Sequence, residues 1–496
     1  MRKAKMRDYL LIYVNGRRYQ VSGAQGFQSL SDFLRYDLGL VGTKVVCAEG
    51  DCGSCTVLVG RIGLPNSEGD SKLNYQSINS CIQYLYQLDC AHIITVEALK
   101  NKEQIHPIQQ AMVDAMGSQC GYCTPGFVMS LAAMQEKEEV MTRKSVQDGL
   151  TGNLCRCTGY EQIIDAALNL DAKPVPSVTE NFDEKTILSD FAVYLTQAVF
   201  CEFEENWNGV ARKLKYFVPV SLAEAVSFQQ KNDNVTVVAG GTDISVQINK
   251  ERIEPDCIMS LVHLSELKSI FVDEQFVTVG ARVSWSELGK FCQKNLPQLA
   301  EIIAIFASPQ IKNCGTLAGN IANASPIADS LPFLYVIEAE VELTSPDGVR
   351  WLEINQFYQG YKKLAMNPDE LITSIRWQMQ DPDDLLKLYK VSKRKDLDIS
   401  TFTAGIYIKM NNNKIQISRL AYGGVGPVVL RLPETEQFLY NKALTLETFL
   451  QAGKIAREEI QPISDVRSSA DYRLQLAENI LMKFYYECCK HQVKKA

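Results

Sequence analysis

Eight cysteines in the first third of the chain have types and spacings suited to metal–sulfur chemistry. Three crowd one loop, Cys47-Ala-Glu-Gly-Asp-Cys52-Gly-Ser-Cys55, and Cys81 follows at a distance. A second set pairs Cys120-Gly-Tyr-Cys123 with Cys155-Arg-Cys157. Four thiolates can wrap a compact core of two irons and two sulfides. Gly50 and Gly53 let the first loop turn sharply and aim N–H groups at the sulfurs. Structural zinc is the rival chemistry, but its four-thiolate sites usually pair two C-x2-C knuckles, whereas here three ligands share one loop. A lone C-x2-C could be a redox dithiol; the accompanying C-x-C argues against that.

These ligands need elements to hold them. Tyr9–Val14 and Arg17–Val21 flank Asn15-Gly16, a dipeptide suited to a type I′ hairpin turn. Ser29–Leu38 has Leu30, Phe33, Leu34 and Leu38 at helical spacing, with Ser29 or Ser31 as N-cap. With the strand Thr56–Val59 this predicts a small α+β domain around a C-x4-C-x2-C…C set, the spacing of plant-type ferredoxins. The second set is expected on a helical bundle. A first helix over 107–118 would bury Ile108, Ala111, Met112, Ala115 and Met116, and Thr124 and Pro125 would start a second helix. Cys123 would then sit at a helix N-terminus, where the dipole favours a thiolate. A third helix runs to Leu150, and a fourth carries Ile163, Ile164, Ala167 and Leu168. His92 and His106 lack ligand spacing and read as ordinary surface or core histidines.

At 496 residues, 46% hydrophobic and 22% charged, the chain is an ordinary globular protein of three or four domains. Its net charge of −7 gives no reason to expect nucleic acid or anionic lipid as a partner. No apolar run is long enough to span a bilayer, and the start, Met1–Val14, lacks the features of a secretory signal. A cytoplasmic location is expected. The remaining cysteines, Cys90, Cys201, Cys257, Cys292, Cys314, Cys488 and Cys489, show no ligand spacing and read as packing residues, with Cys488–Cys489 a labile thiol pair at most.

Ala172-Lys-Pro-Val-Pro-Ser reads as an extended linker, and from about Phe217 the pattern changes to alternating strands and helices. The run Val235–Val238 ends in Ala239-Gly240-Gly241-Thr242-Asp243, whose successive N–H groups could form a nest for pyrophosphate. No G-x-G-x-x-G is present, so a Rossmann site is not supported. A second small-residue segment runs from Lys312 through Gly315, Thr316, Gly319, Asn320, Asn323 and Ser325 to Asp329.

The motifs Cys47–Cys55 with Cys81, Gln119-Cys-Gly-Tyr-Cys-Thr-Pro-Gly-Phe-Val-Met-Ser and Gly152-Asn-Leu-Cys-Arg-Cys-Thr-Gly-Tyr resemble the iron–sulfur half of the molybdenum hydroxylases, which include xanthine dehydrogenase, aldehyde oxidases and carbon monoxide dehydrogenase. The two small-residue segments resemble that family's FAD domain. The resemblance implies a multidomain α+β fold. Its parts are a ferredoxin-like β-grasp domain (7–92), a helical-bundle 2Fe–2S domain (93–171), a linker (172–210), an α+β FAD-binding domain of the non-Rossmann, PCMH-like type (211–384) and an α+β C-terminal flavoprotein domain (385–496). It assigns one 2Fe–2S cluster to Cys47, Cys52, Cys55 and Cys81, and the other to Cys120, Cys123, Cys155 and Cys157.

For FAD it implies Val237, Val238, Ala239, Gly240, Gly241, Thr242, Asp243 and Ile244 over the pyrophosphate, with Phe306, Thr316, Gly319, Asn320 and Ile372 also on the cofactor. Asp329 and Lys390 would lie near the ribityl–flavin end, where a cation stabilises reduced flavin. The closest likeness is to the small subunit of a two-chain xanthine dehydrogenase. Such a chain would pass electrons from a molybdopterin-binding large subunit, in a heterotetramer, to FAD and on to NAD+; its own residues would do no substrate chemistry. Alternatives are the same subunit in an aldehyde or N-heterocycle oxidoreductase, a stand-alone diaphorase, and a non-enzymatic zinc-binding module. Three departures stand out: Ala318 where the family has a glycine, an insertion-like stretch Gly63–Asn74, and Leu397 interrupting the acidic run near Asp396 and Asp398.

Overall fold

A computed structural model describes residues 6–63, 71–100, 104–137, 140–170, 175–207 and 210–493. Most of the insertion-like stretch, residues 64–70, and the front of the expected linker, residues 171–174, lie outside them, as does the side chain of Cys489. The chain divides into two compact units, Met1–Glu266 with Ser308–Gly315, and Leu267–Ala307 with Thr316–Ala496. The fold is multidomain α+β, with mixed sheets and separate helical layers.

In the first unit, β1 (Leu10–Val14), β2 (Arg17–Val21), β3 (Thr56–Ile62), β4 (Leu73–Asn79) and β5 (Ala91–Ile94) form a sheet in the order β2-β1-β5-β3-β4. The β1–β2 turn is the expected one, with Asn15 and Gly16 both at positive φ (49° and 77°). All five residues of β1 are buried, because both faces of the sheet are covered. Leu11 and Tyr13 pack towards Phe127, Leu131, Ile187 and Phe191, whereas Leu10, Ile12 and Val14 pack towards Val199, Tyr216, Val238 and Ile258. The helix after Ser29 begins as α1 (Leu30–Asp32), capped by the Ser29 hydroxyl, and widens into a π-turn over Phe33–Asp37.

The helical layer comprises α2 (Pro107–Asp114), α3 (Thr124–Glu136), α4 (Arg143–Gly149) and α5 (Glu161–Leu168). Two expectations shift here. The first helix stops at Asp114, so Met116 leaves the buried stripe; it has φ 53° and is 79% exposed. Cys123, not Thr124, is the N-cap of α3.

Residues 172–210, read as a linker, instead contain α6 (Glu184–Tyr194) and β6 (Val199–Trp207). Apolar periodicity explains this: Ile187 and Phe191 are a turn apart and close the helical core, and Val199 is fully buried. β6 pairs with β7 (Val210–Val218) in a sheet of order β6-β7-β9-β8, where β8 (Thr236–Val238) and β9 (Cys257–Ser260) run parallel. Between the strands stand α7 (Leu222–Lys231) and α8 (Ile244–Asn249).

Among the described residues the second unit holds two larger sheets and a small hairpin, Tyr358–Gly360 with Lys363–Leu364. One has the antiparallel order Ile270–Val272, Phe276–Gly280, Leu371–Gln378, Glu340–Ser345, Gly348–Glu353. The other is the meander Leu385–Val391, Phe402–Asn411, Lys414–Gly423, Leu430–Arg431, against which Phe449 and Phe484 of two C-terminal helices pack. No helix among the described residues is long and apolar enough to cross a membrane.

Candidate functional site

The first cysteine loop leaves the ferredoxin-like helix region and returns to β3. Its path needs three residues with positive φ: Ala48 (54°), Gly50 (76°) and Gly53 (69°). A Cβ on Gly53 would stand 2.2 Å from the carbonyl oxygen of Gly152, so Gly53 requires glycine on two counts, and Gly50 requires it by its φ. Cys81 sits in the short turn after β4, next to Asn79, whose Nδ2 donates to the Gly50 carbonyl at 2.7 Å. All four sulfurs converge: Cys47 is in hydrogen-bonding reach of Cys52 and Cys81, and Cys55 of Cys81. Hydrogen bonds pull the Cys47 and Cys55 thiols down, whereas Cys52 and Cys81 are pushed up. Cys55 and Cys81 are buried, and Cys47 and Cys52 half-buried.

The second set lies on the ends of α3 and α5. Cys155 Sγ is 3.8 Å from Cys157 Sγ, and Cys157 Sγ is 3.7 Å from Cys120 Sγ; Cys123 bonds to Cys155. Burial and the Cys155 neighbour push the Cys123 thiol up to about 12, outweighing the helix end that was expected to favour a thiolate. Cys155 is lowered to about 7: burial opposes this, but the Thr158 hydroxyl and amide, with help from the Cys157 amide, outweigh it. The turn between Cys157 and α5 has Gly159 and Tyr160 both at φ 73°, and the Tyr160 hydroxyl accepts from the Cys155 amide at 3.0 Å. Cys120 and Cys157 are exposed and Cys155 is buried, so the outward-facing side of this set is the Cys120–Cys157 edge, whereas the first set has no exposed cysteine.

The two loops touch. The Leu154 amide donates to the Cys52 carbonyl at 3.0 Å, and Asn153 Nδ2 to the Gly53 carbonyl at 3.2 Å. Gln310, from the short turn Pro309–Lys312, inserts between them; its Nε2 donates to Asn153 Oδ1 (3.0 Å), Ser130 Oγ (3.2 Å) and Thr56 Oγ1 (3.3 Å). Gln310 is 1% exposed. Gln310→Ala should therefore cost roughly 1–3 kcal/mol by leaving buried groups unpaired. A drop in the midpoint at which the full chain loses its visible absorbance on heating would show it.

The loop after β8 borders the first cysteine set. Asn249, at the end of α8, donates to the carbonyls of Ala48 and Cys81, both at 2.8 Å, and accepts from the Tyr84 hydroxyl at 2.8 Å. Gln83 donates to the Gly240 carbonyl at 3.1 Å. Gly240 is needed by this packing, since a Cβ would stand 2.0 Å from the Cys314 carbonyl oxygen, and Gly241 by its φ of 73°. Val237 and Val238 end β8; Ala239 to Asp243 form the turn, and Asp243 stands at the N-cap of α8 without a side-chain cap bond. Ile244 packs on the apolar cluster, and next to it the Ser245 hydroxyl is buried with no hydrogen-bond partner among the described residues.

In the second unit Phe306 ends a helix and meets Trp285 edge to face at 4.8 Å. Thr316 N-caps the helix Leu317–Asn323, accepting from the Gly319 amide at 3.0 Å, and Ala318 is buried within it. Asn320 accepts from Ser330 at 2.6 Å. The expected small-residue segment is thus split, its front in the first unit and its helix in the second. Asp329 and Lys390 partner each other at 2.6 Å, and both bond Ser400, so the Lys390 charge is already balanced. Ile372 is buried in the strand Leu371–Gln378 opposite Leu343. Leu397 has φ 60°, in a turn where Asp398 accepts from the Arg394 amide at 2.9 Å.

Sequence reasoning missed Asn249, Gln83 and Gln310, which carry no spacing signal. It placed the histidines correctly. His92 is buried between Tyr75 and the Gly16 amide, and His106 caps α2. Of the extra cysteines, Cys90, Cys201, Cys257, Cys292 and Cys488 are buried.

Residues 12–85 match the 2Fe–2S iron–sulfur cluster binding domain, 95–168 the [2Fe–2S] binding domain, 212–377 the FAD binding domain in molybdopterin dehydrogenase, and 387–488 the CO dehydrogenase flavoprotein C-terminal domain. Xanthine dehydrogenases of Emericella nidulans and Oryza sativa subsp. japonica are each 29% identical over 97% and 96% of this chain. The chain spans only 38% and 39% of their lengths. A carbon monoxide dehydrogenase structure from Hydrogenophaga pseudoflava is 25% identical, with a TM-score of 0.52, over 54% of this chain and 94% of its own. With two 2Fe–2S domains, an FAD-binding domain and a flavoprotein C-terminal domain in this order, the chain belongs to the molybdenum hydroxylase family, of which it carries the iron–sulfur and FAD region.

Proposed function

We propose that this chain is the electron-transfer subunit of a cytoplasmic xanthine dehydrogenase, working with a molybdopterin-binding large subunit in a heterotetramer and delivering electrons to NAD+. When bound, two 2Fe–2S clusters and FAD would supply a one-electron relay ending in hydride release. The observation that carries this reading is the contact between the two cysteine sets: Leu154 N–H on the Cys52 carbonyl ties a set with two exposed cysteines to one that has none.

The donor sets fit the groups assigned to them. Cys47, Cys52, Cys55 and Cys81 would hold one cluster, with Ile82 and Ile311 excluding water; Cys120, Cys123, Cys155 and Cys157 would hold the other. Gln83 fixes the Gly240 carbonyl beside the Cys81 turn and Asn249 of α8 holds the Cys81 carbonyl; the successive N–H groups of the 239–243 loop suit a pyrophosphate. Val237–Ile244, Phe306, Thr316, Gly319, Asn320, Asp329, Ile372 and Lys390 are the proposed FAD residues. The domain limits of the expectation are proposed too, except that α6 and β6 replace its linker.

Native purification with metal analysis and an absorbance spectrum tests this. About four irons and one flavin per chain are expected, from two two-iron sites and one FAD, together with a co-purifying molybdenum subunit and reduction by NADH. A colourless protein with stoichiometric zinc would overturn the reading.

A further inference from the structure

The turn that joins Cys155 to α5 closes on itself through a ring of hydrogen bonds. The Tyr160 hydroxyl accepts from the Cys155 amide at 3.0 Å, and the Tyr160 amide donates to Thr158 Oγ1 at 3.3 Å. Thr158 then faces the sulfur twice: its Oγ1 lies 3.1 Å and its amide nitrogen 3.5 Å from Cys155 Sγ. Closing the ring takes two consecutive residues in the left-handed region, Gly159 and Tyr160, both at φ 73°. That conformation is uncommon for a residue with a side chain. Tyr160 is held in it by its hydroxyl bond and by the edge-to-face contact of its ring with Phe127.

The direction of the hydroxyl–sulfur bond follows from chemistry. Thr158 Oγ1 already accepts from the Tyr160 amide, and a metal-bound cysteine sulfur carries no proton, so the hydroxyl hydrogen goes to the sulfur. Both residues are enclosed: Thr158 is 8% and Cys155 4% exposed, and Cys155 belongs to the apolar cluster of Phe127 and Ile163. Water can serve the exposed Cys120 and Cys157, whereas the buried Cys155 depends on donors from the chain. Away from water such a bond is electrostatically stronger.

One added electron makes a 2Fe–2S site more negative by one charge. Donors aimed at a ligand sulfur favour that more negative form and raise the potential. We infer that Thr158 sets the reduction potential of the second iron–sulfur site, as a positioning residue acting through its hydroxyl on Cys155. This rests on the iron–sulfur reading above. The competing role is a brace for the turn alone, through the Tyr160 amide.

The test is a mediated redox titration of the full chain with its clusters loaded, each site followed by the paramagnetic signal of its reduced form. Thr158→Val keeps the shape and removes the hydroxyl, whereas Thr158→Ser keeps the hydroxyl. At a fixed potential the ratio of reduced to oxidised second site should fall roughly ten-fold in Thr158→Val, the size of one hydrogen bond to a charged group. For a one-electron couple that is a downward shift of about 59 mV. Thr158→Ser should titrate with the parent, and the first site should stay in place in both. A brace would lower the melting midpoint and leave the potential alone. An unmoved second site in Thr158→Val, an equal shift of both sites, or the same shift in Thr158→Ser would overturn the inference. If Thr158→Val holds only about two irons, Thr158→Ala takes its place; loss of the second site in both assigns the residue to the turn and overturns the inference as well. A parent lacking the second paramagnetic signal would instead overturn the reading it rests on.

Discussion

Serine at Cys120 is expected to abolish purine-dependent reduction of the flavin while leaving NADH-dependent reduction largely intact. Under the proposed function Cys120 lies on the outward-facing edge of its sulfur set, 3.7 Å from Cys157, and is exposed. The set without exposed cysteines is held beside α8 and the 239–243 loop by Asn249 and Gln83. Damage at Cys120 should therefore interrupt entry from a partner chain and spare the flavin end. Rapid-mixing absorbance with each reductant measures both arms, and iron should fall from about four to about two per chain. Equal loss of both reductions would reject the order of carriers.

Asp89→Ala should be the most destabilising change outside the cysteines. It leaves the Arg7 guanidinium, 5% exposed, without its carboxylate, and strips partners from His263 and the Leu11 amide. Breaking a buried ion pair from one side costs about 3–5 kcal/mol. The pair also makes stability depend on acid. Burial raises the Asp89 pKa, but hydrogen bonds from His263 and Arg7 hold it at about 2, below the usual value of roughly 3.9 for an unfolded chain. A depressed carboxyl contributes stability that is fully present above about pH 4 and is lost as pH falls through 2; here roughly 2–3 kcal/mol is involved. Urea unfolding of the parent and of Asp89→Asn, followed by tryptophan fluorescence from about pH 6 downward, should show their difference shrinking in acid. A constant difference would exclude this linkage.

The cysteine spacings by themselves pointed to metal–sulfur chemistry, because ligand geometry is local: three thiolates and two glycines in one loop favour a cluster over paired zinc knuckles. Local rules likewise placed the Asn15-Gly16 hairpin, the Ser29 cap and the four helices around the second set. They failed where a residue's role depends on what arrives from far along the chain. The linker reading saw prolines near 174 and 176, but the buried face of Ile187 and Phe191 exists only because the sheet offers it a surface. Lys390 and Asp329 were both expected near the flavin, but only the fold shows them paired to each other at 2.6 Å. Gln310 and Asn249 bear no motif; long-range packing alone put their amides against the cysteine loops. Burial gives such polar groups their importance, and burial is a property of the assembled fold.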